Sequence, residues 1–176
     1  KEIKKSFLKS LVEKPISNKL STIGINISTF CCEVNGEIIY FKICDSGGQE
    51  RFRSLAKNCT NQMDGIILVY DINNKETFQN IKIWYNNLRD TVDFKKVGFI
   101  LVGNKSDMPH KVDENLAKEF SHNHNITFLE ASAKDNTNVD EIFVKLIDIM
   151  VNINPKKPKS KMGNLNNSND DEMINR

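Results

Sequence analysis

The sequence predicts an α/β domain: a mostly parallel sheet with helices on both faces, carrying one antiparallel hairpin. Three observations point to it. Beyond residue 64, strand-like and helix-like segments alternate, and strands joined through helices run parallel. The apolar runs GIILVYDI (65–72) and VGFILVGN (97–104) lack polar alternation, as strands buried on both faces do. Before residue 64, two strand-like runs flank Asn35-Gly36, the preferred filling of a two-residue hairpin turn, where both positions need positive φ.

In chain order, KSFLKSLVEK (5–14) places Phe7, Leu8, Leu11 and Val12 on one helical stripe, which Pro15 closes. INISTFCCEV (25–34) and EIIYFKICD (37–45) form the hairpin strands. A buried strand at 65–72 leads into a helix over 75–90, with Phe78, Ile81, Trp84 or Tyr85, and Leu88 turned inward. The second buried strand (97–104) precedes a shorter helix at 113–124. A third strand, ITFLEAS (126–132), precedes a helix at 138–151 whose inward residues are Val139, Ile142, Phe143, Leu146, Ile147 and Met150. Residues 1–152 therefore read as one domain, and 153–176, almost without apolar content, as a disordered tail.

Composition narrows the class. The chain has 176 residues, 39% hydrophobic and 27% charged, enough for one core. A net charge of +2 argues against nucleic acid or an acidic membrane surface as partner. Lysine and asparagine fill about a quarter of the positions throughout, so small lysine clusters, including the basic NPKKPKSK of the tail, read as background. The cysteines at 31, 32, 44 and 59 have neither C-x-x-C spacing nor a nearby histidine, and reduced thiols in a cytoplasmic protein are expected. The histidines at 110, 122 and 124 read as surface residues. No run of about 18 apolar residues spans a membrane.

In open α/β sheets ligands bind beyond the carboxyl ends of the strands. Three polar segments follow such ends: Asp45-Ser46-Gly47-Gly48-Gln49, Asn104-Lys105-Ser106-Asp107 and Ala131-Ser132-Ala133-Lys134. N-K-S-D and S-A-K resemble the guanine-recognition loops of Ras-like small GTPases. D-S-G-G-Q-E-R-F-R-S-L resembles the second switch of the Rab branch, and Ser21-Thr22-Ile23-Gly24 its first. Any one tetrapeptide is weak, but these occur in the family's order, each at an expected strand end, over about residues 5–152.

The resemblance implies a Ras-like three-layer fold, a GTPase acting in vesicle traffic, and GTP/GDP with Mg²⁺ as ligands. Guanine presents two adjacent donors, N1–H and the 2-amino group, and a carboxylate at Asp107 accepts both, whereas adenine offers a lone pair there. Asn104 is implied to tie the loop and face the purine's other edge, and the Lys105 stem to cover the ring. The Ala133 N–H would meet the guanine carbonyl, with Ser132 and Lys134 beside the base. At the phosphates, Gly48 approaches closely because it lacks a Cβ. By the same resemblance Asp45 and Thr22 would serve Mg²⁺, Thr22 would also close over the γ-phosphate, and Gln49 would orient the attacking water. Effectors, exchange factors and GTPase-activating proteins are the implied partners of a monomer, cytoplasmic or peripheral at endomembranes.

Departures accompany the match. The family's G-x-x-x-x-G-K-[ST] phosphate loop follows its first strand. Here only Lys5-Ser6 could stand for its end, with Ser6 as a third Mg²⁺ ligand. An ungapped alignment puts Ile3 at the lysine position instead, and the first strand and upstream glycine are missing from the chain. An N-terminally incomplete copy is the first expectation; a nucleotide-deficient relative acting as a protein-binding module is the alternative. Gly47 replaces the usual alanine of the second switch. The three aromatics of the Rab effector face are matched by Ile27, Cys44 and Cys59. No cysteine follows Cys59, so C-terminal prenylation is not expected on this chain.

Overall fold

The computed structural model describes residues 25–34, 37–46, 63–89 and 91–155. The expected helix at 5–14, the Asn35-Gly36 turn and residues 156–176 of the expected tail lie outside the described residues; Ile153, expected to begin the tail, instead ends the last helix, because the backbone bonds continue to it.

Strands β1 (Ile25–Val34) and β2 (Glu37–Ser46) pair antiparallel in one unbroken register, from Val34 opposite Glu37 to Ile25 opposite Ser46. β3 (Gly65–Asp71) leads through Asn74 into α1 (Lys75–Arg89). β4 (Gly98–Asn104), α2 (Glu114–His124), β5 (Thr127–Ala131) and α3 (Val139–Ile153) follow. β3, β4 and β5 form a parallel sheet in that order, with Asp71 beside Asn104 and Asn104 beside Ala131. The two strand groups are separate sheets among the described residues. This is a Ras-like α/β architecture.

The burial of β4 explains its sequence. Six of its seven residues are buried, because alternate side chains serve opposite faces. Phe99 and Leu101 join Leu68, Tyr70 and Ile72, under Phe78, Ile81, Tyr85 and Leu88 of α1 and Ala117 and Phe120 of α2. Ile100 and Val102 turn the other way and meet Ile142 and Leu146 of α3, with Ala131. Three layers result, with α1 and α2 on one face and α3 on the other. α3 lies close to the start of the sheet: a Cβ on Gly98 would come within 2.9 Å of Ile149 Cγ2. Of the six inward residues expected on this helix, Ile142, Leu146 and Ile147 are buried; Val139, Phe143 and Met150 are half-buried. On α1 the open choice resolves to Tyr85, with Trp84 half-buried against the core.

The core on the α1–α2 side is aromatic. Tyr70 meets Phe78 edge-on at 5.0 Å between ring centres, Phe78 meets Phe120 at 6.3 Å, and Tyr85 touches both Phe94 and Phe120. α2 starts where the Asp113 carboxylate accepts the Asn115 N–H at 2.9 Å, and stops at Asn125 in a left-handed conformation (φ 53°).

The histidines at 110, 122 and 124 are exposed, as expected, and His124 also touches the edge of the aromatic core. It lies in the last turn of α2, its ring 4.3 Å from that of Tyr85 and 4.5 Å from that of Phe120. Burial, and then the charge of Arg89, hold its pKa below the ordinary 6.5. The unfolded chain therefore takes up a proton at pH values where the folded chain does not. The contribution is complete above the unfolded value and is lost as the pH falls through the folded one. In urea titrations between about pH 7.5 and 5, a His124→Gln variant is expected to lose less stability than the parent. Parallel losses in the two proteins would refute this.

Candidate functional site

The sheet register brings the second and third polar segments together. β4 ends at Asn104, beside Ala131 at the end of β5, and beyond them the chains turn off as two adjacent loops. Lys105 takes a left-handed conformation (φ 67°), which ends the strand abruptly. The Ser106 N–H donates to the Ala131 carbonyl at 3.0 Å and stitches the first loop onto β5. The second loop is closed by reciprocal backbone bonds of 3.0 Å between Ser132 and Thr137, with Asn136 and Asn138 both at φ 58°. Asn138 also donates from Nδ2 to the Glu130 carbonyl at 2.8 Å.

Side chains complete the junction. The Ser132 hydroxyl, 1% exposed with its residue, donates to Asp107 Oδ1 at 2.6 Å and accepts the Asp135 N–H at 3.1 Å. Both bonds fix its rotor, so Asp107 is aimed by a buried group. Lys134 Nζ reaches Asp107 Oδ2 at 3.3 Å. The Ser132 hydrogen bond, against a smaller opposing effect of burial and aided by Lys134, holds the Asp107 carboxyl below the usual carboxylate range. Asp107 is thus an anion, with one oxygen oriented by Ser132 and lone-pair capacity left on both. Asn104 Oδ1 accepts the Ala133 N–H at 3.2 Å, so this donor is spent within the protein.

Lys105 turns back over β3, where its ammonium pairs with the Asp71 carboxylate. Asp71 was not among the sequence candidates. Its signal was an acid closing the apolar run GIILVYD, the position at which a strand meets the ligand edge. A second pair ties the segment after the first loop to β5: His110 Nε2 lies 3.0 and 3.1 Å from the two oxygens of Glu130.

The remaining candidates are placed as follows. Asp45 is exposed near the end of β2. Lys5, Ser6, Thr22, Gly48 and Gln49 lie outside the described residues. No group of three His, Cys, Asp or Glu that could hold a metal ion occurs among the described residues. On the hairpin, Ile27 is 59% exposed and stands opposite half-buried Cys44, so two of the three effector-face matches are cross-strand neighbours; Cys59 lies outside the described residues. No helix among the described residues is long and apolar enough to cross a membrane.

A parallel sheet between two helical layers, with turns and polar side chains gathered at the carboxyl ends of its strands, is the class of α/β protein that binds ligands at that edge. Comparison with known proteins gives the family. The Ras family model matches residues 4–152, and the chain belongs to the Ras family. It is 39% identical over 147 residues to GTP-binding protein ypt1 of Schizosaccharomyces pombe, covering 82% of this chain and 68% of that protein. It is 42% identical over 129 residues to Ras-related protein Rab-1A of Dictyostelium discoideum, covering 72% of this chain and 63% of that one. Ras-related protein Rab-1D of the same organism is 39% identical over a stretch of the same length. The chain thus spans about two thirds of the length of the curated relatives it matches. By family resemblance it is a Rab-like small GTPase.

Proposed function

We propose that the chain is a guanine-nucleotide switch that binds GTP and GDP, hydrolyses GTP, and acts in vesicle traffic. The observation that carries this reading is the junction of Asp107, Ser132, Lys134 and Asn104 at the carboxyl edge of β4 and β5. Asp107 is an oriented carboxylate, and a guanine edge needs two acceptors side by side. Ser132 takes one of the four lone-pair directions and leaves room for N1–H and the 2-amino group. Lys134 lies over the same carboxylate, positioned to shift onto the base plane. Asn104 keeps the two loops at fixed separation through Ala133, and the Lys105 stem covers the ring.

At the phosphates, the motif assigns Gly48 as a backbone donor, Thr22 as the closing hydroxyl, Gln49 as the residue that orients water, and Lys5 and Ser6 as the phosphate-loop end. Mg²⁺, when bound, neutralises phosphate charge. Asp45, an exposed carboxylate near a strand end, is a hard oxygen donor of the kind this ion takes, with Thr22 and Ser6 as hydroxyl partners. The nucleotide-binding domain runs to the end of α3 at Ile153, one residue beyond the bound the sequence suggests, and the tail follows it. Exchange factors, GTPase-activating proteins and effectors are the partners of a monomer that works in the cytoplasm and at endomembrane surfaces. The Ile27–Cys44 pair, aliphatic and thiol where Rab effector faces are aromatic, supports a partner set of its own.

A thermal-shift assay on the full chain tests the reading. With Mg²⁺ present, GDP and GTP at about a hundred times the dissociation constant are expected to stabilise the fold by about 2.7 kcal/mol, with no shift from ADP or ATP. A melt that saturating GDP leaves unmoved would reject it.

A further inference from the structure

The charged end of Lys105 lies away from Asp107, Ser132 and Lys134, at Asp71. The Lys105 backbone turns left-handed at φ 67°, immediately after the last residue of β4. Because β3 and β4 are in parallel register, Asp71 stands beside Asn104, and the turn returns Lys105 across the end of β3. There the ammonium pairs with Asp71 Oδ2.

Asp71 is itself held on every side. Its Oδ1 accepts the Asn73 N–H at 2.8 Å, and its own N–H donates to Thr77 Oγ1 at 3.0 Å. Ile72 N–H closes the strand end onto the Asn104 carbonyl at 3.1 Å. The Asp71 side chain is 20% exposed, against 55% for Lys105: a half-covered acceptor at the strand end holds the ammonium of a more exposed side chain. Burial pushes the Asp71 carboxyl up, but the Lys105 and Asn73 hydrogen bonds and the charges of Lys105 and Lys111 outweigh it and leave it ionised.

We propose that Asp71 is a positioning residue for nucleotide binding: by anchoring the Lys105 ammonium at the end of β3 it stretches the lysine stem along the ligand edge. This rests on reading that edge as the guanine-nucleotide site. A free lysine stem samples many rotamers, and ordering it on ligand binding costs entropy. With the ammonium tethered, the stem is ordered beforehand and the ligand meets a ready apolar surface. The contribution is indifferent to the base's hydrogen-bonding edge, so it acts on affinity and leaves base choice to Asp107.

The experiment is a double-mutant cycle on the full chain, read as affinity for fluorescent GDP, with competition by GDP and XDP. Asp71→Asn and Lys105→Gln are each expected to weaken binding roughly tenfold, and the double variant no further than either alone. Asp71→Glu, which restores the charge, recovers most of the affinity, and the GDP-to-XDP preference stays at the parent value in every variant. A purely structural salt bridge at the sheet end would lower the melting temperature without this non-additive loss of affinity. The proposal is overturned if Asp71→Asn binds like the parent, or if the losses add. Should Asp71→Asn fail to fold, Asp71→Glu against Lys105→Gln completes the cycle: a loss of about twofold that vanishes in the Lys105→Gln background supports the anchor, and one that persists overturns it. A parent that binds no guanine nucleotide sinks the site reading and the anchor with it. A parent that binds and an indifferent Asp71 sink the anchor alone.

Discussion

Asp107→Asn is expected to convert a guanine-preferring site into one that prefers xanthine. The carboxylate offers two acceptors to guanine's N1–H and 2-amino group. An amide offers one acceptor and one donor, so its NH₂ faces the 2-amino group donor to donor. Xanthine has a carbonyl in place of that amine and suits the amide. A site built to pair a polar group rejects a ligand that leaves it unpaired by on the order of 10⁴-fold. Competition of GDP and XDP against a fluorescent nucleotide reads this directly. The local geometry favours a clean outcome: Ser132 donates to one oxygen of residue 107 at 2.6 Å, and the amide oxygen can accept that same bond. Lys134 loses its ionic partner, which adds to the loss for guanine and also reduces total binding. A variant that binds with the parent's base preference would refute the assignment of Asp107.

The second large effect concerns the core under that site. Leu101 is 0% exposed in the middle of β4, among the aromatic side chains on the α1–α2 face. Leu101→Ala is expected to destabilise the domain by about 2–5 kcal/mol, from lost transfer energy plus an unfilled cavity. That is a large share of a typical domain's roughly 5–15 kcal/mol, and about 2–4 °C of melting temperature goes with each kcal/mol at this size. Leu116→Ala is the internal control. Its residue is 51% exposed on α2, and the change is expected to stay within about 0.5 kcal/mol. Equal melting temperatures for the two variants would overturn the placement of β4 at the centre of the layers.

Much of the fold is legible because a doubly buried strand writes itself as an unbroken apolar run. VGFILVGN and GIILVYDI declare their strands, and the observed bounds differ from the expected ones by a residue or two. The ends are less legible, since a strand's last residue is set by where its neighbour stops offering hydrogen bonds. α1 could be read as a helix, but its period leaves Trp84 and Tyr85 equally placed. Only the position of Phe94, Phe99 and Phe120 around it makes Tyr85 the buried one. Similarly, His124 is exposed at a helix end, as its sequence position suggests, but only the packing of α1 beside α2 sets its ring against Tyr85.

The site divides in the same way. N-K-S-D and S-A-K single out Asp107, Ser132 and Lys134 from sequence alone, and the structure brings these three side chains together. What the sequence leaves open is which groups are already engaged with one another. The Ala133 N–H is spent on Asn104, and the Lys105 ammonium is carried off to Asp71, 34 positions earlier in the chain.

Local rules of periodicity and turn chemistry thus determined, from the sequence by itself, that this chain is a layered α/β domain, and the order of its motifs supplied the resemblance to Ras-like proteins. Tertiary structure decided who holds whom there. Parallel register set Asp71 beside Asn104, a left-handed turn at Lys105 sent its charge across β3, and a buried hydroxyl aimed Asp107. Such partners meet because strands far apart in sequence end at the same level of one sheet, and no local window of residues contains that coincidence.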